Sequence, residues 1–483
     1  MRKQTEKTKS KTINIETILN LEQERNDQGN SEGHKKKETQ EKAAAIQSLY
    51  SQREKFLLIG LTGRTGAGCT TVSEILSRSD IKKLDLRSYK TCDFNSSDER
   101  KYSVVYRYMK EGNRWKGFTV IEASSVIFSF ILQDTYGKLL SFLDTLSPNG
   151  EIKEIDKLKK EIVAALRDDS LGGDYDIDEI KGEVIDEELK SIVDEIKREN
   201  FDENDTEELQ RKIQFFTEIV RTKKEEFRKV VKDCVIEEMV EKKGEKAEKK
   251  VYNLYTKFMQ TVGNNIRSSG IYDNNEEIAG KEIVVAERIN YIVKLINRYE
   301  ELKNPDKERT RICIDALRNS VEIQFFRDRY RAFYAFAVNT EDSYRQNRLG
   351  MNKKEIKSLD DIEYPGDNSV FYHQNIQACL EISDVYLYNP NTQNHKYYEL
   401  TEQLLKYIAL ILQPGLIAPT HLERCMQLAF NAKYNSGCLS RQVGAVVTGE
   451  DFSVRAVGWN DVPKGQVPCN LRCVEDYCIN KDE

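Results

Sequence analysis

A glycine-rich turn set between a strand pattern and a helix pattern constrains this chain more than any other feature. Phe56-Leu-Leu-Ile-Gly60 is a short apolar run of the kind a buried strand needs. It leads into Gly63-Arg64-Thr65-Gly66-Ala67-Gly68-Cys69-Thr70-Thr71, after which residues 71–77 read as a helix. The spacing fits G-x-x-x-x-G-K-[ST] at every fixed position except the lysine, which is Cys69. Glycines let the backbone curl so that its N–H groups converge on phosphate oxygens, and the helix N-terminus adds partial positive charge. Thr70 is placed to ligate the Mg²⁺ of a bound nucleotide triphosphate. Without lysine the cationic contact to the β- and γ-phosphates is lost, and Arg64 or an arginine elsewhere is the expected substitute. Phosphate binding without fast phosphoryl transfer is therefore expected at residues 63–71; the bland alternative is a strand-to-helix turn that binds nothing.

The rest of the chain organises around that turn. Gly117-Phe-Thr-Val-Ile-Glu-Ala123 is a second candidate strand, with an apolar helix over residues 126–132. Strand patterns return at 311–315, 333–338 and 384–388 with helical patterns between them, so repeated βαβ units and a mostly parallel sheet are expected. Residues 135–307 interrupt this alternation with long charged helices. Leu209, Ile213, Phe216, Val220, Phe227, Val231 and Val235 recur at helical spacing, as one amphipathic helix. An insertion packed on its own domain is expected there in preference to a coiled-coil surface. Asp174, Asp176 and Asp178 imitate the start of a calcium loop, but Glu179 stands where the glycine belongs and Ile185 where the bidentate glutamate belongs. Calcium is excluded on those grounds. Residues 1–54 read as a mobile charged tail, 55–413 as one α/β domain carrying the insertion, and 414–483, after Pro414-Gly415, as a separate segment.

Composition narrows the partners. Charged residues make up 32% and the net charge is −6, so no global basic field points to nucleic acid. No apolar stretch approaches the ~20 residues a membrane span needs. Ten cysteines without a secretory signal suggest reduced thiols in a cytoplasm, and only four histidines are present, at 34, 373, 395 and 421.

Two family resemblances follow from longer motifs. Ile312-Cys-Ile-Asp315-Ala-Leu-Arg318-Asn-Ser-Val-Glu322 resembles the IDGxRNxxE stretch of P-loop nucleotide kinases, and Arg345 and Arg348 resemble that family's lid arginines. The resemblance spans residues 55–134 and 308–412. It implies that Asp315 faces Mg²⁺ and that Arg318 contacts substrate phosphate. Residues 424–433, Ser440-Arg-Gln-Val-Gly-Ala-Val-Val447 and Ala456-Val-Gly-Trp-Asn460-Asp-Val-Pro-Lys-Gly465 resemble the start of deoxycytidylate deaminases. That implies a cytidine-deaminase-like α/β half-domain in which Asn460 contacts the substrate sugar. In that family the zinc-holding H-x-E and P-C-x-x-C motifs come afterwards, beyond Glu483 here, so no catalytic or metal residue is assigned within the chain. His421-Leu-Glu423 precedes the expected helix, and Cys469 and Cys473 have three residues between them instead of two, so neither pattern is taken as the catalytic set. Cys469, Cys473 and Cys478 read as surface thiols or as part of a structural metal knuckle.

The two modules together resemble the bacterial anti-phage dCTP/dCMP deaminases. That resemblance implies zinc-dependent conversion of deoxycytidine nucleotides to deoxyuridine nucleotides, with the P-loop module regulatory. Small-molecule nucleotides are the expected ligands, and a homo-oligomer is the expected assembly. A nucleotide kinase and a non-catalytic nucleotide sensor are the competing readings.

Overall fold

The computed structural model describes residues 55–88, 94–146, 155–167, 177–197, 205–240, 248–304, 310–363, 373–390 and 398–471. The tail over 1–54, Asp174 and Asp176 of the calcium-loop imitation, Cys473 and Cys478 all lie outside them.

Five parallel strands form the centre: β1 (Phe56–Thr62), β2 (Thr119–Glu122), β5 (Thr310–Asp315), β6 (Phe333–Asn339) and β7 (Val385–Tyr388), in the order β2-β5-β1-β6-β7. The expected βαβ alternation is therefore present, and the sheet is parallel throughout. Period-two alternation along β1 sends its side chains to two different cores. Leu57, Ile59 and Leu61 pack with Val72, Ile75 and Leu76 of α1 (Cys69–Ser77) and Val105 and Met109 of α2 (Ser97–Glu111). Leu58 faces the other way, toward Phe128 and Ile131 of α3 (Ala123–Leu132). Covering both faces explains why β1 reads as a nearly continuous apolar run. The helix α1 after β1 and the helix over Ser320–Arg329 after its neighbour β5 lie on opposite faces, and such switch points open a crevice at the carboxyl ends of the strands.

The described residues between 135 and 307 share a core with the sheet, and they do not form one long helix. Helix α4 (Thr206–Gln214) passes through a π-helical turn at Phe215–Ile219 into α5 (Val220–Val231). The wider turn lets the consecutive Phe215 and Phe216 both be buried, which a regular 3.6-residue repeat would not arrange so readily. Val235 does not continue the helix; it opens β3 (Val235–Val240), which pairs antiparallel with β4 (Glu248–Asn253). Helices α6 (Leu254–Ser269) and α7 (Val284–Lys303) complete the second core, where Phe227 meets Phe258 at 4.8 Å between ring centroids.

Helix α8 (Ser320–Arg329) follows β5, and after β6 come α9 (Asp342–Leu349) and α10 (Lys353–Glu363), then α11 (Ile376–Glu381) leading to β7. Helix α12 (Tyr398–Leu412) returns to the α1 core, and Leu400, Leu404 and Leu405 are fully buried there. The C-terminal segment is α13 (His421–Lys433) laid on the hairpin β8 (Gly444–Thr448) and β9 (Val454–Trp459). His421 is the first residue of α13 instead of preceding it, because Thr420 caps the helix in a box with Glu423. Among the described residues no helix is long and apolar enough to cross a membrane.

Candidate functional site

The glycine-rich turn sits at the carboxyl end of β1 and opens α1. Gly68 holds φ 108° as the residue before the helix, a conformation that side chains resist, and a Cβ there would fall 2.2 Å from the Asn389 amide. Gly63 is required for a different reason: a Cβ would lie 2.6 Å from the carbonyl oxygen of Val338 on β6. Asn389, just past β7 and fully buried, donates its Nδ2 to Ala67 O at 2.9 Å and so holds the loop from the side. Its Oδ1 has no partner.

Asp315 ends β5 beside the loop, in register with Glu122 at the end of β2. The hydroxyls of Ser73 and Thr70 lie against it, with Ser73 Oγ at 3.2 Å from Oδ2, while Oδ1 is buried without a partner. Burial first, and then the Glu122 carboxylate, push Asp315 up to about 6. Burial opposes ionisation of Glu122 as well, yet Lys224, 2.5 Å away on α5, holds it below the usual carboxylate range. The open Oδ1, with the exposed Thr70 hydroxyl nearby, fits a hard divalent cation that prefers oxygen ligands. Mg²⁺ held by Asp315 and Thr70 would supply neutralisation of phosphate charge.

Cys69 offers nothing in place of a lysine charge. Its sulfur lies 3.2 Å from where a Cβ on Gly63 would stand, and burial, with Asp315 adding to it, pushes the thiol up to about 12. The thiol therefore stays neutral at physiological pH. Arg64, one expected substitute, is turned toward Asp342 at 2.9 Å and Asp360 at 3.4 Å. The arginine that does reach the loop is Arg348: Nη1 donates to Gly66 O at 2.7 Å and lies 2.9 Å from a Cβ built on Gly68, while Nη2 is buried with no partner.

Helices α9 and α10 cover the crest of the loop. Arg345, fully buried, donates Nε to Thr65 O at 2.9 Å and forks onto both oxygens of Asp360. Glu363, also fully buried, accepts from the Thr65 N–H at 3.1 Å and from the Thr65 hydroxyl, and pairs with Arg318. Arg318 donates its other terminal nitrogen to the Thr65 hydroxyl at 2.9 Å. Arg318, Arg345 and Arg348 thus converge with residues 63–70 and Asp315, while Thr71 is the third residue of α1. Sequence reasoning missed Glu363, Asp360 and Asn389. No local motif marks them, because their roles depend on contacts made across ~300 residues of chain.

In the C-terminal segment Asn460 closes the end of β9. Its Oδ1 accepts from Val443 N at 2.7 Å and its Nδ2 donates to Arg441 O at 2.8 Å, so both ends of the amide are engaged by the strand entry. His421 stacks on Phe452 with centroids 5.4 Å apart and takes a contact from Arg424. Glu423 is spent on the helix cap and on Lys406. These residues do not fit a zinc centre, and among the described residues no group of three His, Cys, Asp or Glu side chains converges to hold a metal.

Comparison of the chain with protein-family models, with curated proteins and with solved structures gives no match. Fold and site by themselves define an α/β protein with a five-stranded all-parallel sheet and a glycine-rich loop at its carboxyl edge.

Proposed function

We propose that residues 55–412 bind a nucleotide triphosphate at the glycine-rich loop without rapid turnover, as the regulatory, P-loop nucleotide-kinase-like module of a deoxycytidine-nucleotide deaminase. One observation carries the binding half: a helix N-terminus, the Arg348 guanidinium and the open Asp315 oxygen converge on Gly68 and Thr70, while the residue in the lysine position is a neutral thiol. Phosphoryl transfer relies on positioning and electrostatic stabilisation, so losing the lysine removes rate more than affinity. The deamination half rests on the sequence resemblance of residues 424–465 and on a helix laid over a hairpin with Asn460 at the strand end. No catalytic step is assigned to a described residue.

A nucleotide kinase is the second reading, favoured by the partnerless Nη2 of Arg348, a cation available in place of the lysine. One pair of measurements separates them. The full-length protein is incubated with dCTP, dCMP, CTP and dATP, and the products are resolved by chromatography. Uracil-containing products from the cytosine deoxynucleotides alone are expected, and a folded protein that deaminates none of them sinks the deaminase proposal. Phosphorylation of any nucleoside monophosphate at ordinary kinase rates, ~1–100 s⁻¹, would establish the kinase instead.

A further inference from the structure

Two cysteines well separated in sequence come together in the C-terminal segment, and neither serves the phosphate site. Cys438 lies in the turn between α13 and β8, and Cys469 follows Pro468 beyond β9. The N–H of Asn470 donates to the carbonyl oxygen of Gly437 at 3.1 Å. In a trans peptide the amide hydrogen points to the side of the preceding α-carbon, here that of Cys469, and the carbonyl oxygen to the side of the following one, here that of Cys438. With standard bond lengths, a 3.1 Å bond between these groups holds the two cysteine α-carbons within about 7 Å of each other. Disulfides span about 4.4–6.8 Å between α-carbons, so closing one here asks little movement of the backbone. No side chain keeps the two stretches apart: Gly437 has none, and a Cβ there would stand 2.6 Å from Cβ of Pro468.

Their surroundings suit different roles. Cys438 is partly exposed, and its sulfur lies 3.3 Å from the Ser440 hydroxyl. That hydroxyl first, then the backbone N–H groups of Arg441 and Ser440 and the side chain of Asn460, hold the thiol below its usual range. The thiolate is the nucleophilic form of cysteine, so Cys438 is the attacking sulfur. Cys469, also partly exposed, is the thiol within reach of whatever forms on it. Four of the other described cysteines, Cys69, Cys234, Cys313 and Cys379, are pushed the opposite way by burial.

We propose that Cys438 and Cys469 form a peroxide-sensitive dithiol whose disulfide staples the stretch after β9 to the turn before β8. The Cys438 thiolate attacks one peroxide oxygen, the O–O bond breaks, and the departing hydroxide takes up a proton to become water. The Cys469 sulfur then attacks the sulfenic acid on Cys438. The S–S bond forms, hydroxide leaves, and the Cys469 proton completes a second water. Two thiols lose two electrons in total, and one hydrogen peroxide is reduced to two waters. The staple closes the chain across β8 and β9 and so restricts the opened state of that hairpin.

The test is a cross-link map of the full-length protein, reduced, freed of reductant, treated with hydrogen peroxide, alkylated and digested with trypsin. Cys438 and Cys469 then sit alone in peptides 434–441 and 465–472, while Cys473 and Cys478 share 473–481. A disulfide joining 434–441 to 465–472 is expected as the first product, reversed by dithiothreitol. Cys469→Ser should abolish it and leave on Cys438 a sulfenic acid that dimedone traps, whereas Cys234→Ser should leave it unchanged. Oxidation should also slow hydrogen exchange over residues 444–459 at least about tenfold. Peroxide that joins Cys438 to 473–481 first, or leaves it unlinked, overturns the proposal. So does a protein whose two thiols resist alkylation until one equivalent of zinc is released, because they would then be metal ligands. Exchange that the disulfide leaves unchanged overturns the stapling role. The wild-type map decides even if a serine variant fails to fold.

Discussion

At Asp315 burial and function pull in opposite directions. The carboxyl is raised from its ordinary 3.8 to about 6 by burial and the neighbouring Glu122, so the ligand-free fold favours the protonated form. A carboxyl with a raised folded pKa contributes stability that is fully present below 3.8 and is lost as pH rises through about 6. At about 1.4 kcal/mol per unit, the loss is of order 3 kcal/mol. The wild-type melting temperature minus that of Asp315→Asn should therefore fall between pH 4 and 6.5 in the absence of ligand. Mg²⁺ needs the ionised form, so its stabilising effect should grow over the same range and vanish in Asp315→Asn. A pH-independent difference would show that Asp315 is not the controlling group. At this scale the loop glycines were legible in the sequence, because positive φ at Gly68 and the tight approach at Gly63 admit little else. The reach of Arg348 was not, since Arg64 stands closer in sequence and only the positions of Asp342 and Asp360 turn it away.

Helices α9 and α10 act on the loop as a pair, with Asp360 joined to Arg345 and Glu363 joined to Arg318 and Thr65. The Glu363 carboxylate engages an N–H and a guanidinium that an incoming phosphate would also use, so it competes as an internal anion. Replacing it in Glu363→Gln keeps the shape and removes the charge. Nucleotide affinity measured by calorimetry should then rise roughly tenfold, about 1.4 kcal/mol. The ligand-free melting temperature should drop, because the part-buried Arg318 loses its counter-charge. Unchanged or weaker binding would make the pair purely structural. Among the elements, strands were the most legible: β5 begins one residue before its expected start, and β6 and β7 lie within one residue of their expected spans. The insertion was less so. Its apolar spacing from Leu209 to Val231 is real, but spacing alone registers neither the π-turn at Phe215–Ile219 nor the turn into β3 before Val235, both of which tertiary packing decides.

Across the whole molecule stability is divided unevenly. β1 and β5 are buried on both faces between two cores, whereas β8 and β9 form a two-stranded sheet with a single helix on it. Val447 is 59% exposed and Trp459 45%, and Leu422 and Met426 on α13, with Tyr434 just after it, are nearly two-thirds exposed. An isolated hairpin is marginal in water, and one helix covers only one of its faces. Local opening free energies follow such burial, ranging from near zero to the global value. Hydrogen exchange followed by mass spectrometry should find residues 56–61 and 310–315 exchanging only with global unfolding, while 444–448 and 454–459 exchange orders of magnitude sooner. Saturating ATP should slow exchange in the first set and around residues 342–363. Saturating dCTP, if Asn460 contributes to a sugar site, should also slow the second set. Equal protection of both sets without ligand would mean that the C-terminal segment folds as one cooperative unit with the central sheet, and the division argued here would fail.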